Sequence, residues 1–351
     1  MNNIKKCLSI IDNVQADGLI LTNESNMHYL CGFSPSEGMV VVFKNGDAYH
    51  LVDSRYTETA QQHSMDTGLK VIEIQSRFMD EVADLVCEHN ANTMAFEGDT
   101  ISLKQYDALN DTMEDVFFVS IGDALMRERN KKEPEEIVLM KKANAIAEKA
   151  FLELLNHIKP GKTEKELAAY FDYLMAKEGS DGVSFDTILL TGTHTSMPHG
   201  VPSENEIKSG DFVLFDFGAT YRGYHSDMTR TVALGHATEE MRKVYDTVLR
   251  AQLAGIAASH AGASGKSIDG AARDIITEAG YGPYFGHSYG HSLGLEIHEA
   301  PNCTPRNENP IPAGAVCSAE PGIYIPGKFG VRIEDCLLYT SPSPRDAHES
   351  R

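Results

Sequence analysis

The chain is poor in positive charge. It has 31 Lys and Arg against 51 Asp and Glu, a formal net charge of −20 over 351 residues. A surface that binds nucleic acid needs a basic patch to replace phosphate counterions, and this balance argues against one. It argues equally against an anionic membrane surface. Cysteine is scarce too. Six are scattered at Cys7, Cys31, Cys87, Cys303, Cys317 and Cys336, with no CxxC spacing. That pattern excludes a structural thiolate zinc site and reads as free thiols in a reducing compartment. No uninterrupted apolar run approaches the ~18–20 residues of a membrane helix. The first residues carry no apolar stretch with a small-residue cleavage site, so a secretory leader is not expected. The expectation is a cytoplasmic protein with two domains.

The first part alternates strand-like and helix-like segments. Gly18-Leu19-Ile20-Leu21, Met39 to Phe43 and Ala48 to Val52 read as short buried strands, the last two joined by a turn at Lys44 to Asp47. Phe78, Val82, Leu85 and Val86 form a helical stripe, and Val116 to Val119 is a further strand. This is a compact α/β domain placed at residues 1–125. A charged stretch, Arg127 to Glu136, then leads into a long helix, and Thr163-Glu164-Lys165-Glu166 has capping-box spacing for the next. The second domain, 126–338, mixes helices with hairpins and reads as α+β. From 339 to 351 the sequence looks foreign or disordered, with Pro and Ser alternating after Thr340.

Two hairpins carry carboxylates inside apolar strands. In the first, Phe212 to Phe217 is interrupted only by Asp216, and Tyr224 to Val232 returns past Asp227. Centring the turn on Tyr221-Arg222 puts Asp216 opposite Asp227, with Cβ atoms ~4.5–5.5 Å apart. In the second, Ser318 to Ile325 and Phe329 to Glu334 flank a turn centred on Gly327, which sets Glu320 opposite Glu334. One such pair is compatible with plain solvated strands. Two pairs embedded among Phe, Ile and Val point to a shared cation, because unpaired buried carboxylates cost too much. His287, His291 and His298 fall within twelve residues, interleaved with Gly286, Gly290 and Gly294. The glycines argue for loop and strand there, not helix. With Pro198-His199-Gly200 upstream, the histidines point to a site. Four carboxylates and an imidazole suit Mn²⁺ and accept Co²⁺, Fe²⁺ or Zn²⁺.

The order Asp216, Asp227, His291, Glu320, Glu334 resembles the five-ligand signature of the pita-bread metallopeptidases. Gly290-His291-Ser292-Leu293-Gly294 with His298, and Val331-Arg332-Ile333-Glu334-Asp335, are most similar to its proline-specific branch. Tyr29 to Phe33 and Val52 to Tyr56 resemble a creatinase-type N-terminal domain. The resemblance implies an α+β pita-bread C-terminal domain behind a smaller α/β creatinase-type domain. It implies two divalent ions, most naturally Mn²⁺, on those five ligands, with Asp227 and Glu334 bridging. A metal-bridged hydroxide would attack the scissile carbonyl. Further roles follow by position: His199 lines the substrate pocket, His287 belongs to the same pocket, and His298 contacts substrate or its tetrahedral intermediate. Glu320 passes the proton, while Arg332 and Tyr324 stand beside the ligands. The substrate implied is a proline-containing peptide, and the assembly implied is a homodimer. The activity expected is that of an Xaa-Pro aminopeptidase, with Xaa-Pro dipeptidase (prolidase) as the alternative. A methionine aminopeptidase-like enzyme fits less well because of the N-terminal domain. A non-catalytic binding protein on this fold, or a metal-free creatinase-type hydrolase, fits less well because all five ligands are kept.

Overall fold

The computed structural model describes residues 3–340. The chain divides into two compact units, Met1–Arg129 and Asn130–Arg351, against a boundary of 125 expected from sequence.

In the first unit, six strands form one mixed sheet. Their order is Lys70–Glu73, Ala48–Val52, Gly38–Phe43, Gly18–Leu21, Thr93–Phe96, Phe117–Ser120. The central strands are buried on both faces, which their unbroken Val, Ile and Leu runs require. The hairpin of Gly38–Phe43 with Ala48–Val52 turns at Lys44 to Asp47, as the polar tetrad dictates. The helix Phe78–Glu88 sets Met79, Val82, Leu85 and Val86 against the sheet.

The second unit stacks two helix pairs against short antiparallel sheets. Pro134–Leu154 and Glu164–Lys177 share a core with Phe215 and Phe217. The capping box at Thr163 and Glu166 starts the second of these helices. Glu239–Ala258 and Gly265–Glu278 share another core with Tyr289, Ile323 and Val331. The long helix Glu239–Ala258 contains Gly255, where a Cβ would lie 2.2 Å from Cζ of Tyr289. The Tyr289 ring lies directly on the helix backbone, and its hydroxyl donates to the Gln252 carbonyl at 3.0 Å.

Two expectations are corrected here. In the first hairpin Tyr221 pairs with Tyr224, and Asp216 faces Thr229 rather than Asp227. The turn is Arg222-Gly223, both at positive φ (49° and 79°), the geometry of a tight two-residue hairpin. The shift is two residues, so the face is kept, and Asp216 and Asp227 become diagonal neighbours. The second correction concerns the end of the chain. Asp335–Leu338 is a strand that pairs with Val316–Ala319, and Tyr339 is 2% exposed. Tyr339 donates its hydroxyl to Ser259 Oγ at 3.0 Å. Leu337 and Tyr339 alternate inward in strand fashion, and Tyr339 N donates to the Ala315 carbonyl at 2.8 Å, so Tyr339, placed in the foreign tail by the sequence, extends the sheet. The rest of that segment, 341–351, lies outside the described residues.

Candidate metal centre

The second hairpin keeps one register throughout. Gly322–Ile325 pairs with Phe329–Arg332, and Val316–Ala319 pairs with Asp335–Leu338. Between the two ladders the same register sets Glu320 opposite Glu334. Pro321 has no N–H to give, so the ladder opens there, and the Glu320 N–H turns to the Tyr289 carbonyl at 2.8 Å. The strand Met228–Ala233 ties this hairpin to the first. Its Thr229 carbonyl accepts from Glu334 N at 3.1 Å, and Thr231 Oγ1 donates to the Arg332 carbonyl at 2.9 Å. The third element is the strand Gly290–Ser292. Its pairing with Glu299–Cys303 is irregular between His291 and Ser292. Such a bulge re-aims a side chain.

These three pieces bring the five expected ligands together. Asp227, His291 and Glu334 each offer an atom within 4.8 Å of the others, a set found nowhere else among the described residues. His291 Nε2 lies 3.6 Å from Asp227 Oδ2 and 3.3 Å from Glu320 Oε1. His291 Nδ1–H donates to the Ser292 carbonyl at 3.1 Å, so Nε2 carries a lone pair. A lone pair facing two carboxylates is a contact of acceptors with acceptors. Asp216 Oδ1 and Asp227 Oδ1 are buried with no hydrogen-bond partner. Oxygen- and nitrogen-rich convergence of this kind fits a divalent cation.

The electrostatics agree. Burial, then the charges of Asp216 and Glu320, raise the Asp227 pKa well above its ordinary value. Burial, then Asp227, does the same to Glu334. Burial raises Glu320 to about 7 against the opposing pull of Arg332. Burial lowers His291 to about 4, which keeps it neutral and able to ligate. The folded chain accepts its own carboxylates poorly without a compensating positive charge.

Arg332 organises the other side. It is 3% exposed. Its guanidinium reaches Asp216 Oδ2 at 2.6 Å, Tyr324 Oη at 2.7 Å and Thr229 Oγ1 at 3.0 Å. Its Nη1 also lies 3.5 Å from the Pro198 carbonyl. Tyr324 donates in turn to His287 Nε2 at 2.9 Å, since His287 Nδ1–H is given to the Ser288 carbonyl. Burial, then Arg332, lowers His287 to about 4, so it is the neutral acceptor this chain needs. The His298 ring stands edge-on to His291 at 4.5 Å between centroids. His298 and His199 are both exposed, and the charge of His199 is felt at His287. All ten site residues expected from sequence therefore belong to one neighbourhood.

Three contributors were missed. Thr229 Oγ1 donates to Glu334 Oε2 at 2.6 Å while accepting from Arg332. Strand alternation from Asp227 signals it, because 227, 229 and 231 share a face. Ser318 Oγ accepts from His291 N at 3.0 Å and donates to Glu320 Oε1 at 3.1 Å. The same period of two places it beside Glu320. Arg230 grips the Glu334 carbonyl at 2.6 Å and Asp335 Oδ1 at 2.7 Å, and nothing local in the sequence marks it.

No helix among the described residues is long and apolar enough to cross a membrane. Residues 3–131 match the creatinase/prolidase N-terminal domain, and residues 138–341 match metallopeptidase family M24. The chain is 36% identical to an Xaa-Pro dipeptidase of Pyrococcus furiosus, covering 96% of this chain and 94% of that one. Among solved structures it resembles an Xaa-Pro dipeptidase from Bacillus anthracis, at 40% identity and a TM-score of 0.92 over 97% of this chain and 94% of that one. It also resembles an X-Pro aminopeptidase from Thermotoga maritima, at 37% identity and a TM-score of 0.89 over 95% of each chain. Fold, clustered acceptors and full-length likeness converge: the chain belongs to metallopeptidase family M24, with a creatinase-type N-terminal domain before a pita-bread catalytic domain.

Proposed function

We propose that the protein is a metal-dependent Xaa-Pro dipeptidase, which reverses the order of the two activities expected from the sequence. What carries the choice is the likeness along nearly the whole chain to proteins named Xaa-Pro dipeptidase. The aminopeptidase reading is supported by the Thermotoga maritima structure and remains the competitor. The residues that would hold the ions are Asp216, Asp227, His291, Glu320 and Glu334, with manganese the first choice for so hard a set. Bound there, a pair of divalent ions would acidify water and polarise the scissile carbonyl. The free cysteines support a reducing, cytoplasmic setting, and a homodimer is part of the same reading.

The chain's own residues do the rest. Glu320 takes the proton of the attacking water and returns it to the departing proline nitrogen. His298, solvent-facing beside His291, donates to the oxygen that gains charge. Arg332 fixes the Asp216 carboxylate, and Thr229 fixes that of Glu334, so both ligands are preorganised. The Arg332–Tyr324–His287 chain fills the wall behind them with satisfied donors and acceptors. His199, on the loop whose Pro198 carbonyl faces Arg332, lines the proline pocket.

The test is a side-by-side assay of Mn²⁺-loaded protein on Xaa-Pro dipeptides and Xaa-Pro-Yaa tripeptides. A kcat/KM favouring the dipeptide by about tenfold or more, ~1.4 kcal/mol of transition-state binding, is expected. The reverse preference establishes the aminopeptidase, and cleavage of neither removes the proline-peptidase reading.

A further inference from the structure

The charged stretch Arg127 to Glu136 reads from sequence as the lead into a long helix. In the structure it supplies one of the most deeply buried ammonium groups of the chain. Lys132 and Glu299 form an ion pair at 2.9 Å with side chains 1% exposed on each partner. The same Lys132 Nζ donates to Ser292 Oγ at 3.3 Å, and Ser292 Oγ donates onward to the Val316 carbonyl at 2.8 Å. Glu299 Oε1 accepts from Glu296 N at 3.1 Å. Gly294 packs tightly against both partners: a Cβ there would lie 3.0 Å from Lys132 Cε and from Glu299 Oε2.

The two residues that Lys132 holds are those directly after the two site histidines. Ser292 follows His291, and Glu299 follows His298. The ammonium therefore fastens the residue next to each of the two imidazoles. It joins the start and end of the segment 292–299, across which His291 and His298 come to 4.5 Å between rings. Isolated charges are not buried for stability, since a buried pair contributes little over an apolar pair of equal shape. A fixed spacing is what such a pair can supply.

We infer that Lys132, through Glu299 and Ser292, is a positioning residue that sets His291 for metal binding and His298 for the substrate. Its effect on the metal is independent of which peptide is cleaved, while its effect on the substrate rests on the dipeptidase reading above.

The experiment compares the parent with Lys132→Met/Glu299→Gln and with Glu299→Gln alone. The double variant removes both charges while keeping their shape. The single variant keeps an acceptor for Lys132. Each protein is stripped of metal and titrated with Mn²⁺ by calorimetry, melted, and assayed on an Xaa-Pro dipeptide. In the double variant we expect a melting temperature close to that of the parent, Mn²⁺ affinity weaker by about tenfold, and KM raised by about tenfold. Glu299→Gln should show the same two changes, each smaller. A folded double variant with parental Mn²⁺ affinity and parental KM overturns the inference. Should the double variant fail to fold, parental Mn²⁺ affinity in Glu299→Gln overturns it instead. A parent that binds Mn²⁺ but cleaves no Xaa-Pro dipeptide sinks the functional reading alone, and the calorimetry still decides this one.

Discussion

Asp227→Asn is expected to abolish both activity and metal-dependent stabilisation while making the metal-free protein easier to fold. Asp227 is 4% exposed, lies 3.6 Å from His291 Nε2, and leaves Oδ1 without a hydrogen-bond partner. The amide removes the charge at the point where the acceptors converge. Loss of roughly a thousandfold or more in kcat/KM, ~4 kcal/mol, is expected. A cation at a hundred times its dissociation constant stabilises the parent by about 2.7 kcal/mol. That corresponds to a melting shift of roughly 4 °C for a chain of 351 residues, which the variant should lack. In chelator the sign reverses. Asp227, Glu320 and Glu334 all have folded pKa values raised above their unfolded ones. Protonated, they favour the folded state. Their contribution is complete below the unfolded values and is lost as pH rises through the folded ones. Glu320 alone, moved from 4.5 to about 7, represents roughly 3 kcal/mol. Metal-free parent should therefore lose stability from about pH 5 to about pH 8, and Asp227→Asn should lose less. Thermal melts across that range, with and without Mn²⁺, check all three outcomes. A variant that still melts higher with Mn²⁺ would contradict the ligand assignment.

Arg332→Met should come second in severity, and Arg332→Lys should recover only part of the loss. One planar guanidinium serves Asp216, Tyr324 and Thr229 at 2.6, 2.7 and 3.0 Å. Methionine leaves the Asp216 carboxylate without its buried counter-charge. Breaking such a pair costs about 3–5 kcal/mol of stability. Lysine restores a positive charge, but as a point on a flexible stem that cannot reproduce the fork. We expect Arg332→Lys to fold with kcat/KM reduced about 10–100-fold, a loss of ~1.4–2.7 kcal/mol. Arg332→Met should melt well below it. Melting curves together with dipeptide kinetics decide the matter. Parental kinetics in Arg332→Met would mean that Asp216 needs no orienting partner.

Much of the site was legible because its signals are local. A carboxylate inside an apolar strand, and histidines spaced by glycines, both announce chemistry within a few residues. The second hairpin could be registered from Gly327 alone, since one register runs from Val316 to Leu338. The first could not. Its turn uses a positive φ at Arg222, an ordinary residue that carries no such mark in sequence, and the guess fell two positions short. Arg230 and Lys132 were harder for another reason. Each acts across more than a hundred positions of chain, on Glu334 and Glu299 respectively. Charge in a connecting stretch looks solvated until the fold closes over it. Tyr339 was placed in the foreign tail because the strand before it, Asp335–Leu338, is short, and the Ser-Pro run after it masks the alternation. The choice between dipeptide and tripeptide substrates depends on how the pocket ends, which no ligand spacing encodes.

Gly255 sets a limit on how this sequence can vary. Inside an exposed helix, exchanging glycine for alanine gains about 1 kcal/mol of helix propensity, and drift or consensus engineering would favour it. Here the added methyl meets the Tyr289 ring at 2.2 Å. Tyr289 is the residue whose carbonyl holds Glu320 and whose chain neighbours lead to His287 and His291. The smallest conservative change in a helix without a single metal ligand would thus be inherited as a defect of the metal centre. Mutational scans of this fold should therefore show an intolerant position there, far along the chain from every acid it protects.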